Sequence, residues 1–368
     1  MSLSSRCRWI RCGGPCLLVA MLLLAGDGRV WVACGEWLSD EEFEGLGKLD
    51  YSRRGNLKDV TTEARAGLVL MGGGNDIDAG FHWMIDRSGG GDFLILRTSG
   101  TDAYNPWIHA MTTPSGRRCN SVATLIIRHR EAACDPFVLE KIATAEALWI
   151  AGGDQAKHVR VWRGTPVEAA IEAAVNRGIP VGGTSSGLDV LGEIAYSAEN
   201  DVEGMLDLSS DEVLSDPHHP RATLINDFLD IPLLEETLLE SHLMQHDRIG
   251  RMAGFLSRVH QSGWSNQPRG IGLQSETALL VEPNGWATVI GGDSAMRPTA
   301  YFLKLGKAPK VCVPGEPLCG AVIQVQRVRP GELFNLRNWS GPTADSFQIS
   351  VRHGSLRSSR PNLLRERK

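Results

Sequence analysis

No apolar run in the 368-residue chain reaches the roughly 20 residues that a membrane-spanning helix needs. The eight cysteines form no CxxC pair, which argues against a zinc site built on cysteine. There is no G-x-x-x-x-G-K-[ST] phosphate loop, no H-E-x-x-H and no internal repeat. Neither sign of charge is in large excess. With 38 basic and 43 acidic side chains the formal net charge is −5, which opposes a general nucleic-acid binder. What remains, at 42% hydrophobic and 22% charged, is an ordinary globular composition with material for a sizeable core.

The ends differ from the middle. Arg6, Arg8 and Arg11 precede an apolar run from 17 to 25, followed by Gly26, Asp27 and Gly28. These are the n- and h-regions of a secretory signal, so 1–34 is expected to be removed after Cys34 and the protein to be extracytoplasmic. Cys119, Cys134, Cys312 and Cys319 then remain, and an oxidising compartment suggests the pairs Cys119–Cys134 and Cys312–Cys319, the alternative being four unpaired buried thiols. Residues 352–368 hold six basic side chains against Glu366 without periodicity, and read as a solvated tail.

Between these ends, 35–351 reads as one α/β domain. Segments 67–71, 92–97, 122–127, 147–151 and 179–182 are near-continuously apolar, as buried parallel strands require. Thr165, Pro166 and Glu168 predict a helix start with a capping box. Val167, Ala170, Ile171, Ala174 and Val175 form its apolar face, and Gly178 its stop. Strand–helix–strand at this spacing implies right-handed crossovers and a parallel sheet flanked by helices. After about 265, short strands at 271–273, 278–281, 287–290, 300–303 and 322–328 suggest an antiparallel extension, with a hairpin at 283–285.

Chemistry concentrates at Gly183-Thr184-Ser185-Ser186-Gly187, a G-x-S-x-G sequence directly after a strand. Such a turn holds its central serine proud of a sharp backbone corner, so Ser185 is the candidate nucleophile and the Ser186 N–H an oxyanion donor. A serine needs a base. His242 stands out in the segment 240–251, ahead of a helix with Ile249, Met252, Ala253, Leu256 and Val259 inward. Arg248 and Arg251, three apart on that helix, suit a carboxylate. His242 and His246 have metal-pair spacing but no supporting motif, and no metal or cofactor is expected. Two Gly-rich loops, 72–75 and 152–155, follow strands where open α/β sheets place their sites. The amides of Gly153 and Asp154 are further oxyanion candidates, with Gln155 toward substrate.

Taken in order, 71–75, 145–155 (AEALWIAGGDQ), 165–167, 182–187 (GGTSSG), 240–251 and 270–281 (GIGLQSETALLV) resemble the cyanophycinase-like serine peptidases of family S51, over roughly 65–330. That group also contains α-aspartyl dipeptidases. The resemblance implies a flavodoxin-like fold of the class I glutamine-amidotransferase type, with serine at the elbow. It implies Ser185 as nucleophile, His242 as base, and Gln155, Glu240, Arg248 and Arg251 as substrate-binding residues. It also implies an aspartyl-containing peptide as substrate, an acyl-enzyme, and a homodimer. Three positions depart from the family pattern. Glu240 stands for the usual Asp, His246 for an Arg, and Gln274-Ser275 for an Asp-Glu pair. The triad acid is therefore sought at Glu203 or Glu276. The alternatives are an α/β-hydrolase esterase, which wants its histidine late in the chain, and a non-catalytic binding protein on the same scaffold.

Overall fold

The computed structural model describes residues 47–112, 116–201, 207–292 and 297–361, and the backbone of the short antiparallel pair Leu22–Leu24 and Val30–Val32. The rest of the expected signal, with its Cys34 cleavage point, lies outside the described residues, as does Glu203.

Two sheets carry the fold. Six strands enter the larger one first: β1 (Leu49–Gly55), β2 (Gly67–Met71), β3 (Asp92–Arg97), β4 (Ser121–Ile127), β5 (Ala147–Ile150) and β6 (Pro180–Thr184). The central five run parallel in the order β2-β6-β5-β3-β4, with β1 antiparallel at the β4 edge. Strands β2, β5 and β6 are buried at every residue, as their apolar runs require for a sheet covered on both faces. Alternation divides the core. Val69 and Met71 pack with α1 (Asp78–Arg87) and α2 (Tyr104–Thr112). Leu68 and Leu70 face α3 (Pro136–Thr144), α4 (Gln155–Trp162) and α5 (Pro166–Asn176).

The α5 helix buries Val167, Ile171 and Ala174 as its pattern predicts, but its start differs. Thr165 Oγ donates back to the Trp162 carbonyl at 2.6 Å, and Glu168 accepts from the Gly164 amide at 2.7 Å. Glu168 therefore closes the preceding turn, and no reciprocal capping box forms.

The later strands do not form one antiparallel meander. They alternate between sheets. β7 (Thr237–Glu240) and β8 (Arg269–Leu273) pair in parallel, and α7 (Ile249–Gln261) connects them. The chain then crosses to the large sheet for β9 (Thr277–Val281) and β10 (Trp286–Gly291), joined by the expected hairpin, in which Gly285 has φ +90°. β11 (Ala300–Lys307) and β12 (Val322–Val328) return to the second sheet, β13 (Leu333–Asn335) ends the first, and β14 (Asp345–Arg352) and β15 (Ser355–Ser358) complete the second. Residues 355–358, expected in a solvated tail, are thus a paired strand. No helix among the described residues is long and apolar enough to cross a membrane.

The cysteine expectation is also corrected. Cys119, Cys312 and Cys319 are free thiols, so neither Cys119–Cys134 nor Cys312–Cys319 forms. Burial pushes the Cys119 thiol up to about 12, which keeps it protonated.

The two sheets are joined by Phe302 of β11 stacked on Phe334 of β13, centroids 3.6 Å apart and 6° from parallel, with Trp339 edge-on to both. Truncating Phe302 to Ala should cost roughly 3–5 kcal/mol of stability. Urea unfolding of the full chain measures it, and a loss below about 1 kcal/mol would show that the sheets are held elsewhere.

Candidate active site

Carboxyl ends from both sheets converge. β2, β5 and β6 of the large sheet end at Met71, Ile150 and Thr184, and β7 and β8 of the second at Glu240 and Leu273. The loops that follow them build one site.

Ser185 has φ 54°, ψ −127°, a left-handed conformation that is strained for a residue with a β-carbon. The corner is held by its own backbone. The Ser185 amide donates to Met71 O at 3.2 Å, and its carbonyl accepts from Leu188 and Asp189 at 2.9 and 3.0 Å. Both flanking glycines are sterically obligatory. A β-carbon on Gly183 would lie 2.4 Å from Gly187 O, and one on Gly187 2.2 Å from Ile150 O. The helix that follows, α6 (Ser186–Asp189), is a single turn.

His242 lies in the turn after β7, also left-handed at φ 48°. Its Nε2 is 3.1 Å from Ser185 Oγ, so the two residues singled out as nucleophile and base meet across 57 positions of sequence. Gly73 makes the space: with φ +84°, a β-carbon there would sit 2.3 Å from Nε2. The Gly72 carbonyl accepts the His242 amide at 3.0 Å. The first Gly-rich loop is therefore a seat for the imidazole.

The third partner of the imidazole is a hydroxyl. Nδ1 lies 2.7 Å from Ser275 Oγ, in the crossing from β8 to β9. Glu276, offered as the alternative acid, turns away. Its carboxylate accepts from Asn75 Nδ2 at 2.9 Å, and its amide donates to Gly73 O at 2.7 Å. No carboxylate among the described residues bonds to the ring of His242.

Asp189 couples the two halves of the site. From the turn after Ser185, its buried carboxylate accepts the Ser241 amide at 2.7 Å and the Ser241 hydroxyl at 2.8 Å, one residue before His242. Nothing in the sequence pattern marked it.

The other expected substrate contacts divide. Glu240 and Arg251, each about 2% exposed, form a two-point ion pair, and Arg251 Nη1 also donates to Leu208 O at 2.9 Å. Arg248 donates to Asp207 at 2.6 Å and to Ser241 O at 3.1 Å, and lies 3.5 Å from Glu240. These three residues are engaged with one another, so their charge is largely answered inside the protein. Gln155 Nε2 donates to Tyr196 O at the cleft wall. Asp154 caps α4 by accepting the Lys157 amide at 3.0 Å. The Gly153 amide donates to Ser186 Oγ at 2.7 Å, so it is aimed beside the elbow but occupied. A cleft of about 1260 Å³ opens onto Ser185, Ser186, Gln155, Lys157, Arg160 and Arg248.

Burial lowers the His242 pKa to about 4, helped by the positive charge of Arg248 and by His246; Asp207 opposes them. Burial works against ionisation of Asp207 too. Hydrogen bonds from His246 and Arg248 nevertheless hold it well below the usual carboxylate range. No group of three or more His, Cys, Asp or Glu side chains among the described residues is placed to hold a metal ion.

Burial, then repulsion from Glu240, raise the Asp189 pKa, so its ionised form costs stability. That cost is absent below the unfolded-state value near 3.8 and grows as pH rises through the raised folded-state value. Asp189→Asn, which keeps an acceptor without the charge, should therefore hold its unfolding midpoint better than the parent between pH 5 and 8. Asp189→Ala orphans two buried donors and should lose roughly 1–3 kcal/mol for each at every pH. Thermal unfolding across that range checks both, and equal behaviour of the two variants would refute the coupling.

Residues 119–213 match the model of peptidase family S51. Cyanophycinases from Trichormus variabilis and from a Nostoc species are each 24% identical over 216 residues, or 58% of this chain and 65% of theirs. The chain thus spans just under two thirds of the length of those relatives. A solved peptidase structure from an acI-B1 Actinobacterium is 16% identical, with a TM-score of 0.48, over 75% of this chain and 98% of that one. The family match contains the Ser185 elbow, and with the two cyanophycinase relatives it marks a similarity of this chain to the cyanophycinase-like serine peptidases of family S51.

Proposed function

We propose that the protein is a secreted serine-type peptidase that hydrolyses aspartyl or β-aspartyl peptide bonds through an acyl-enzyme. The observation that carries this is the 3.1 Å approach of His242 Nε2 to Ser185 Oγ on a left-handed elbow. Nε2 takes the hydroxyl proton as Oγ attacks the carbonyl carbon, and the protonated ring then gives that proton to the leaving amine. Water, deprotonated by the same nitrogen, releases the acid and restores Ser185. The oxyanion is assigned to the amides of Ser186, Gly153 and Asp154. The Gly153 N–H becomes available when the substrate oxygen displaces Ser186 Oγ from it.

Recognition of the substrate carboxylate moves away from Arg248 and Arg251, whose charges are met by Asp207 and Glu240. Lys157 and Arg160, three apart on α4, line the same cleft, and neither has an ion-pair partner among the described residues. They are the cations left for an acidic ligand. The flavodoxin-like reading of the large sheet is supported by the order β4-β3-β5-β6, which follows that fold's 2-1-3-4. The fifth position is held by β2, earlier in the chain. Secretion rests on Arg6, Arg8, Arg11 and the apolar run after them.

The esterase alternative required a base late in the chain, and the histidine at Ser185 is His242. Ser185→Ala should lower turnover of α- or β-linked aspartyl dipeptides by about 10⁶-fold with the unfolding midpoint unchanged. An unaltered rate, or no hydrolysis of any such peptide by the parent protein, would reject the assignment. The Lys157→Ala/Arg160→Ala double variant should raise KM by roughly 10- to 100-fold for substrates with a free carboxylate. Their amidated counterparts should be unaffected. Equal effects on both series would remove the two cations from recognition.

A further inference from the structure

We infer that Ser275 is the positioning residue of the His242 base: its hydroxyl accepts the hydrogen bond from Nδ1–H in place of a carboxylate, leaving Nε2 bare toward Ser185 and no negative charge beside the ring. The inference rests on the Ser185–His242 reading and adds to it the identity of the third member and the pH range.

Geometry comes first. For Nε2 to accept from Ser185 it must be unprotonated, so the ring proton must sit on Nδ1, and the atom 2.7 Å from Nδ1 is Ser275 Oγ. Ser275 is itself buried and immobilised. Its amide donates to Gln245 Oε1 at 3.2 Å, and the residues on either side are fixed by Thr299 O at 3.1 Å and Gly73 O at 2.7 Å. Its hydroxyl has no other hydrogen bond in the described structure.

Charge comes second. From its own turn the ring feels Arg248 and His246, both of which disfavour a second positive charge. Asp207 alone acts the other way, and it is already shared between His246 and Arg248. From the β8–β9 crossing comes Glu276, turned to Asn75, and from the elbow helix Asp189, turned to Ser241. Gly72 and Gly73 bring no charge. An aspartate or glutamate at Nδ1 would stabilise imidazolium and raise its pKa, whereas a neutral hydroxyl does not. Burial, then Arg248 and His246, hold off protonation of His242 until about pH 4, and the hydroxyl places no charge at Nδ1 to oppose them. The sign follows: the active neutral ring is present above that pH and is lost as pH falls through it.

The test follows the rate of fluorophosphonate labelling of Ser185 from pH 3 to 9 in the full chain, for the parent and for Ser275→Ala, Ser275→Thr and Ser275→Asp. The Ala variant should label roughly three- to tenfold more slowly, the worth of one ordinary hydrogen bond, with the acid limb still near pH 4. Thr should retain most of the parent rate, and Asp should move the acid limb upward by at least one pH unit. In parallel, ¹⁵N NMR of the His242 ring should show the Nδ1–H tautomer at pH 6 in the parent and a mixture in the Ala variant. Labelling and tautomer both unchanged in Ser275→Ala would overturn the role of Ser275. A parent that shows the Nδ1–H tautomer but never labels would instead overturn Ser185 as an activated nucleophile while leaving the positioning contact standing.

Discussion

The site depends on a space that one missing β-carbon leaves open. At Gly73 any side chain would overlap the His242 ring, because the loop after β2 runs directly beneath it. That loop is pinned on both flanks. Gly72 bonds through its amide to Thr277 and through its carbonyl to His242, and the Gly73 carbonyl takes the Glu276 amide. The first loop of the parallel sheet thus holds His242 from β7 and the crossing from β8 in one rigid corner. The proposed nucleophile, Ser185 after β6, needs that corner because its strained backbone offers Oγ in a single direction.

Buried charge maintains this alignment, which argues against its use on substrate. Asp189 fixes Ser241, Glu240 fixes Arg251, and Arg248 spans Asp207 and Ser241. Breaking the Glu240–Arg251 pair would leave an uncompensated charge in a low-dielectric interior, a cost of several kcal/mol. Such groups are poor ligands for an incoming carboxylate, because binding would first have to separate them. Exposed Arg160 and half-buried Lys157 carry no such debt.

Much of the parallel sheet was legible, because strands buried on both faces must be apolar throughout and a helix such as α5 must repeat its apolar positions at 3.6 residues. The elbow was legible for a similar reason: only G-x-S-x-G permits the backbone approaches at Gly183 and Gly187. The later strands defeated the reading. A short apolar strand flanked by turns has the same pattern in either of two stacked sheets, so nothing at 274–276 showed that the chain changes sheet there. That crossing is what delivers Ser275 to the ring and turns Glu276 away, so the reading of the second sheet and the choice of Glu276 as alternative acid miss for one cause. Arg248 and Arg251 were read incompletely for a different reason. Helical spacing showed that they share the start of α7, but not that Glu240 and Asp207 already face them.

A hydroxyl in place of a carboxylate changes what the third residue can do. A carboxylate accepts only, so it dictates which ring nitrogen holds the proton; a hydroxyl can donate to Nδ1 as readily as accept from it. The productive tautomer is then selected from both sides of the ring, with Ser275 accepting from Nδ1. Ser185 adds the second constraint, since its O–H has an acceptor only if Nε2 is bare, and the elbow leaves Oγ facing Nε2. Arg248 and His246 add to it by disfavouring a ring that carries both protons. The hydroxyl gives up the electrostatic stabilisation of imidazolium that a carboxylate supplies during proton transfer, so the chemical step should be slower than with an acid at the same place. In exchange the ring remains a proton acceptor at pH values where a carboxylate-paired histidine would already be charged. The departure at Ser275 is therefore coherent with the cations around it: a site that keeps Arg248 and His246 beside its base is one in which a neutral ring is the favoured state.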